Sequence, residues 1–343
     1  MIRLFIIDDS AIVRHGFRKL LEGVEDITII GEAENPVDAF AIFKQTGLPD
    51  LFILDIEMPK MDGLTFLKKI NEQRPIPVII CSTLVTDGSP AAIDAMRLGA
   101  VEVIEKPRLN LSGFFHDYKD EFLAKIRAAA AARVKINTRA SVDIPKTKLP
   151  ISTSPSKKIV AIGSSTGGVQ ALEEIITHLR AGHAGIVITQ HMPQGFTKSF
   201  AKRLDQLAPH SIVHEATNDE LIEDGKVLIA PGGFHMEVYG VGGVFKVLIK
   251  DFPKVNSHKP SVNVLFKSVA KSAGKNATGY ILTGMGSDGA QGLKMMRDAG
   301  AHTFGESEST AVVYGMPRTA KEIGAVEKEL LLTEIASNIN TIG

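Results

Sequence analysis

Two long stretches of this chain repeat one pattern, a short apolar run bounded by turn residues followed by an amphipathic stretch of helical period. This feature constrains the fold most. Apolar runs without polar alternation suit strands buried on both faces, and such strands belong to parallel sheets covered by helices. In the first stretch the runs fall at residues 2–7, 28–32, 51–54, 78–81 and 101–104, which predicts five strands with helices between them. In the second they fall at 159–162, 186–189, 227–230 and 280–283, with further β segments at 236–239 and 244–249. The expected fold class is therefore α/β: an N-terminal (βα)5 domain of flavodoxin-like type, then a doubly wound, mainly parallel α/β domain.

Residues 133–158 contain Pro145, Pro150 and Pro155, several Ser and Thr, and no aromatic residue. Such a composition buries too little surface to offset its ordering entropy, so it reads as a linker. The run at 128–132 is expected to extend the helix before it. The predicted organisation is a first domain over 1–122, a helical extension and flexible basic linker over 123–158, and a second domain over 159–343. The chain carries 39 basic and 39 acidic residues, but the zero is a cancellation of about −7, +8 and −1 over those three segments. No segment resembles a helix-turn-helix, and a near-neutral output domain argues against nucleic acid as a partner. The basic linker suits a solvated tether, or one that attracts acidic protein surfaces. One Cys excludes an internal disulfide and fits a reducing, cytoplasmic compartment. With no run of about 18 apolar residues, no membrane insertion is expected.

Asp8 and Asp9 follow the first predicted strand and Asp55 the third, so a parallel sheet brings all three to its carboxyl edge, where α/β ligands bind. Three carboxylates that close repel one another unless a cation sits among them, and a hard ion such as Mg2+ fits. Ser82 ends the fourth strand, and Lys106, followed by Pro107, ends the fifth. A hydroxyl and an ammonium facing an acid cluster suit the oxygens of a phosphoryl group. Taken singly, Asp-Asp-Ser reads as a helix cap and Lys-Pro as a turn. In order over five βα units, they point to one site.

After residues 159–162 comes Gly163-Ser164-Ser165-Thr166-Gly167-Gly168, which contains G-x-S-x-G at a strand-to-helix turn. Its alternative is a glycine-rich turn in which Ser165 or Thr166 caps the helix. His191 follows the next strand, and Asp288 follows residues 280–283 in a second glycine-rich turn. Nucleophile, base and orienting acid would thus stand at the carboxyl ends of core strands. Backbone amides at Thr166 and at Met285 in the Gly284-Met285-Gly286 turn would stabilise an oxyanion.

The first constellation resembles the receiver domain of response regulators over about residues 1–122. That resemblance implies that Asp55 accepts phosphate from a histidine kinase, Asp8, Asp9 and Asp55 hold Mg2+, and Ser82 and Lys106 respond to the phosphoryl group. Val103 stands where many receivers carry an aromatic. The strings "IGSSTGG", "ITQHMPQGFTKSFAKRL", "IAPGGFHM", "HKPSVNVLF" and "ILTGMGSDGA" resemble the catalytic domain of the chemotaxis protein-glutamate methylesterase family, CheB. The resemblance implies a phosphorylation-regulated serine hydrolase acting on glutamate methyl esters of methyl-accepting chemotaxis receptors, releasing methanol, and deamidating receptor glutamines. Its catalytic triad is Ser165, His191 and Asp288, and hydrolysis itself needs no cofactor. A CheA-like kinase and the receptors are the expected partners, and the chain is expected to be monomeric. His235 and His258 lie in family-like loops and are candidates to line the substrate groove, ordinary loop hydrogen bonding being the alternative. Asn263 replaces an Asp common in its string. The rival function is a receiver-controlled, non-catalytic protein-binding module.

Overall fold

The computed structural model describes residues 1–83, 90–106, 119–134, 151 and 153–342. The chain divides into two compact units, residues 1–139 and 140–343.

In the first unit, β1 (Ile2–Ile7), β2 (Ile27–Ala33), β3 (Leu51–Leu54), β4 (Val78–Ser82) and β5 (Glu102–Glu105) form one sheet in the order β2-β1-β3-β4-β5. All four pairings are parallel, as the unbroken apolar runs require. Side chains such as Phe5, Ile6, Phe52 and Ile53 are wholly buried. Each fully buried apolar side chain of this size contributes about 1.5–3 kcal/mol. Helix starts follow ordinary capping chemistry: Ser10 and Asp62 accept the Val13 and Thr65 N–H groups, and Asn35 accepts that of Asp38. The strand order reverses between β1 and β3, which opens a crevice at their carboxyl ends.

The helix Lys119–Ala130 belongs to this unit, with Phe122 against Phe17 at 5.4 Å and Ile126 fully buried. A domain limit at 122 therefore cuts a helix that the first core needs, and the alanine run extends it only to Ala130. Of the predicted linker, Pro145 and Pro150 lie outside the described residues, as does Pro107. Its end is bound to the second unit. The Ser156 N–H donates to Ile222 C=O at 3.0 Å, its Oγ accepts the Gly185 N–H at 2.7 Å, and Pro155 bridges Glu223.

In the second unit, β6 (Ile159–Ser164), β7 (Gly185–Gln190), β8 (Ile212–Glu215) and β9 (Lys226–Ile229) precede a hairpin of β10 (His235–Val241) and β11 (Val244–Lys250). Then follow β12 (Ala277–Ile281), β13 (His302–Glu306) and β14 (Lys328–Leu330). Seven strands make one parallel sheet, β14-β13-β12-β6-β7-β9-β8. Sequence reading missed β8, β13 and β14. These are short or interrupted by polar residues and glycine, and β8 and β14 are edge strands with one neighbour each. The segments read at 236–239 and 244–249 are the antiparallel hairpin, which lies outside this sheet. Its Met236, Val238 and Val247 share a buried cluster with Leu265, Phe266 and Val269 of the helix Val262–Ser272. From β6 the chain winds outward through β7, then crosses back to place β12 on the other side, so the switch point lies between β6 and β12. No helix among the described residues is long and apolar enough to cross a membrane.

Candidate active site

Two constellations occupy the two switch points. In the first unit, ligand oxygens of Asp8, Asp9 and Asp55 lie within 4.8 Å of one another, with Asp8 and Asp55 buried and Asp9 exposed. Lys106 Nζ donates to Asp55 Oδ2 at 2.6 Å and stands 3.0 Å from Asp8 Oδ2. Asp8 Oδ1 accepts the Ser10 N–H at 2.9 Å, and Asp55 Oδ1 accepts the Ile56 N–H at 2.7 Å. The cap of the first helix is therefore Ser10, leaving Asp8 and Asp9 free of that duty. Ser82, fully buried at the end of β4, accepts the Lys106 N–H through its carbonyl, so backbone pairing ties the two residues together.

Burial pushes the Asp8 carboxyl up to about 6 against the pull of Lys106, and it raises Asp55 for the same reason. Burial would lower Lys106, but hydrogen bonds and charge from Asp55 and Asp8 hold it above its ordinary value. One ammonium among three carboxylates leaves an excess of negative charge about equal to that of a divalent cation. Three oxygen donors this close are the donor set that a hard ion such as Mg2+ takes.

In the second unit, register joins the nucleophile and base candidates. Ser164 pairs with Gln190 across β6 and β7, and the His191 N–H donates to Ser164 C=O at 3.1 Å, so Ser165 and His191 leave adjacent strands together. Ser165 is partly exposed, and its N–H donates to Thr283 C=O at 3.0 Å. The helix Gly168–Thr177 begins three residues later, and its N-cap is Gly167 at φ 79° with no side-chain cap bond. Neither Ser165 nor Thr166 is that cap. Gly284 brings the second turn against the first, for a Cβ there would lie 2.7 Å from Ser165 Cβ. Met285 follows it, and no main-chain partner takes the Met285 N–H among the described residues. Thr166 is buried, and its C=O accepts the Thr283 hydroxyl at 2.8 Å.

Asp288 is 1% exposed and fully engaged. Its Oδ2 accepts His191 Nε2–H at 2.8 Å and the Val262 N–H at 2.7 Å, while its Oδ1 accepts the Ser261 hydroxyl at 2.8 Å and the Asn263 N–H at 3.2 Å. Two of these donors are first-turn amides of the helix Val262–Ser272, where the dipole favours an anion. Burial alone would raise this carboxyl. The bond to His191 and those from Ser261 and Val262 outweigh it and hold the group below its ordinary value. A carboxylate only accepts, so Nε2 carries the ring proton and Nδ1 holds the lone pair. Nδ1 is buried, with no hydrogen-bond partner among the described residues.

The two groove candidates separate. His258, half-buried, stacks on the His191 ring with centroids 3.7 Å apart and planes 8° apart. His235 is 0% exposed and cannot line an open groove; its packing against Phe252 and its two backbone hydrogen bonds account for it. His191, His258 and Asp288 also place potential ligand atoms within 4.8 Å, the donor types of a zinc site. The two rings, however, hold their lone pairs in nearly parallel planes about 3.7 Å apart that do not converge on one ion, and Asp288 is already saturated.

Several supporting residues escaped the sequence reading. Gln190 Nε2 donates to Ser165 C=O at 2.9 Å and to His191 C=O at 3.2 Å, while its Oε1 accepts the Ser164 hydroxyl at 2.6 Å. One buried amide thus clamps the backbones of both residues. Ser261, standing before an apolar periodic run, carried an N-cap signal, but only the fold reveals that its hydroxyl serves Asp288. Asn263 accepts the Gly292 N–H at 2.7 Å and so joins two helices.

Over residues 160–339 the chain matches the family described as CheB methylesterase, and over 4–111 the response regulator receiver domain. It is 47% identical to the protein-glutamate methylesterase/protein-glutamine glutaminase 3 of Leptospira interrogans, over 99% of both chains. A protein of the same name from Shewanella oneidensis is 45% identical, over 99% of this chain and 98% of its own. The crystal structure of the Thermotoga maritima CheB methylesterase catalytic domain is 36% identical with a TM-score of 0.53, covering 54% of this chain and 98% of that one.

Proposed function

Because the chain belongs to the CheB methylesterase family and carries a response regulator receiver domain, we propose that it is a phosphorylation-regulated serine hydrolase of chemotactic adaptation. Its substrates are glutamate methyl esters on methyl-accepting chemotaxis receptors, and receptor glutamines by the same route. The observation that carries this reading is the His191–Asp288 pair, with the proton on Nε2 and a partnerless Nδ1, at the switch point beside Ser165.

In the proposed mechanism, Ser165 Oγ attacks the ester carbonyl carbon while its proton passes to His191 Nδ1. Asp288 supports the imidazolium that forms, and the amides of Thr166 and Met285 stabilise the oxyanion; one such donor contributes about 3–4 kcal/mol. Collapse breaks the carbon–methoxyl bond, and the His191 proton leaves on methanol. Water then attacks the acyl-enzyme, giving its proton to Nδ1, and Ser165 departs with that proton to leave glutamate. With glutamine as substrate the leaving group is ammonia. Hydrolysis in this scheme uses only the chain's own groups.

In the receiver, Asp55 is the proposed phosphoacceptor for a CheA-like histidine kinase. Asp8, Asp9 and Asp55 would hold Mg2+, which when bound neutralises phosphoryl oxygens. Lys106 would pair with the phosphoryl group, and Ser82 would bond it. Methanol release from methylated receptor fragments tests the whole scheme, run with wild type and Ser165→Ala, each with and without acetyl phosphate and Mg2+. The expected result is a wild-type rate that rises with phosphodonor and a Ser165→Ala rate near background. Equal rates for the two proteins would overturn the nucleophile; a wild-type rate indifferent to phosphodonor would overturn the regulation.

A further inference from the structure

We propose that His235 is a positioning residue for the His191–Asp288 pair, acting through Ser261; this rests on the hydrolase reading above and deepens it.

His235 opens β10, far in sequence from every residue of the pair, yet a continuous set of hydrogen bonds joins them. A backbone carbonyl can only accept, so the 3.2 Å contact of His235 Nε2 with Pro253 C=O places the ring proton on Nε2. That leaves Nδ1 as an acceptor, and the Ser261 N–H points at it from 3.3 Å. The tautomer is thereby set from both sides. The Ser261 hydroxyl in turn donates to Asp288 Oδ1 at 2.8 Å, and Asp288 Oδ2 accepts from His191. Phe252 stacks on the His235 ring with centroids 4.1 Å apart.

His235 therefore fixes two points of one loop. Pro253 lies where the loop leaves the hairpin, and Ser261 lies where it enters the helix whose first amides hold Asp288. Between them sits the tight turn Val255–His258, closed by a pair of backbone hydrogen bonds, which carries the ring stacked on His191. Burial keeps His235 below its ordinary value, so it is neutral at pH 7; the charged groups acting on it are Lys259, Asp288 and Glu237. Protonation of Nδ1 would turn its hydrogen against the Ser261 N–H and break the relay.

The test uses the full chain and two substitutions that separate the nitrogens. In His235→Asn the side-chain oxygen takes the place of Nδ1 and can still accept from Ser261. In His235→Gln the amide reaches the Nε2 position and the Ser261 acceptor is lost. The expected result is a kcat for His235→Gln lower by roughly 10-fold, the scale on which groups that orient a functional side chain act, with KM nearly unchanged and His235→Asn close to wild type. The His191 Nε2–H resonance, followed by proton NMR without substrate, should move upfield in His235→Gln, because a misoriented Asp288 accepts that proton less well. Ser261→Ala should show the same displacement. An unaltered His191 Nε2–H resonance in folded His235→Gln, or an activity loss that only tracks the unfolded fraction, would overturn the proposal. Equal hydrolysis by Ser165→Ala would instead overturn the hydrolase reading, and the substrate-free spectrum would still decide the part played by His235.

Discussion

The two switch points of this chain bury carboxylates to nearly the same depth and reach opposite results. In the receiver, Asp8 and Asp55 are 0% and 3% exposed and both carboxyls are raised; in the hydrolase, Asp288 is 1% exposed and its carboxyl is lowered. Desolvation acts in the same direction on all three, so the donors decide. Asp288 has four, arranged so that both oxygens are satisfied, and two of them are helix amides. The receiver acids share one ammonium and a few backbone amides among several oxygens. An overpartnered carboxylate stays ionised and holds a base in one orientation. Underpartnered ones form a site short of positive charge, which suits the proposed cation and phosphoryl group.

The strongest way to break this contrast is to change the charge of Asp288 while keeping its shape. In Asp288→Asn an amide faces His191, the imidazole loses its anionic partner, and kcat for ester hydrolysis should fall about 10⁴-fold, as when a triad histidine is held in the wrong tautomer. A loss below tenfold would show that the four donors serve folding rather than catalysis.

On the receiver side, removing the single ammonium should expose the charge imbalance. Lys106→Met leaves buried carboxylates unpaired and should destabilise the first unit by about 3–5 kcal/mol at neutral pH. Added Mg2+ should restore part of that loss by binding the folded state. Thermal unfolding with and without Mg2+ is the measurement, and an unchanged Tm would mean that the acids are already balanced.

Glu306 sharpens the comparison, since it is as buried as Asp288 but has fewer donors. Its burial pushes the carboxyl from 4.5 up to about 7, against the hydrogen bond from the Thr283 N–H. Between those two values the folded chain holds a proton that the unfolded chain has released, so stability falls as pH rises through that window. Glu306→Gln keeps an acceptor for Thr283 and cannot ionise. Above pH 7 it should be more stable than the parent by up to roughly 3 kcal/mol, with the difference vanishing below about pH 4.5. Equal Tm differences at pH 4 and pH 8 would show that Glu306 keeps its ordinary behaviour.

Much of this molecule is legible without coordinates. Unbroken apolar runs such as residues 159–162 and 186–189 announce buried parallel strands, and in a parallel sheet the residue after each such run must emerge at the carboxyl edge. That alone brings Asp8 near Asp55 and Ser165 near His191; Asp288, seven residues past the end of its strand, also needs the glycine-rich turn at residues 284–286. Strands at and beside the edge lack the signal. Lys328–Leu330 has three residues and a single neighbour, while His302–Glu306, one place further in, mixes polar residues with glycine and has His302 exposed, so neither demands a continuous apolar run.

The sequence by itself determined which residues reach the two carboxyl edges, since strand periodicity and chain direction leave no other place for them. Tertiary structure decided what surrounds them. Hydrogen bonds between elements far apart in the chain have no periodicity to betray them, so the proton on His191 Nε2, the four donors of Asp288 and the burial of His235 follow only from how a hairpin, a loop and a helix start meet in space.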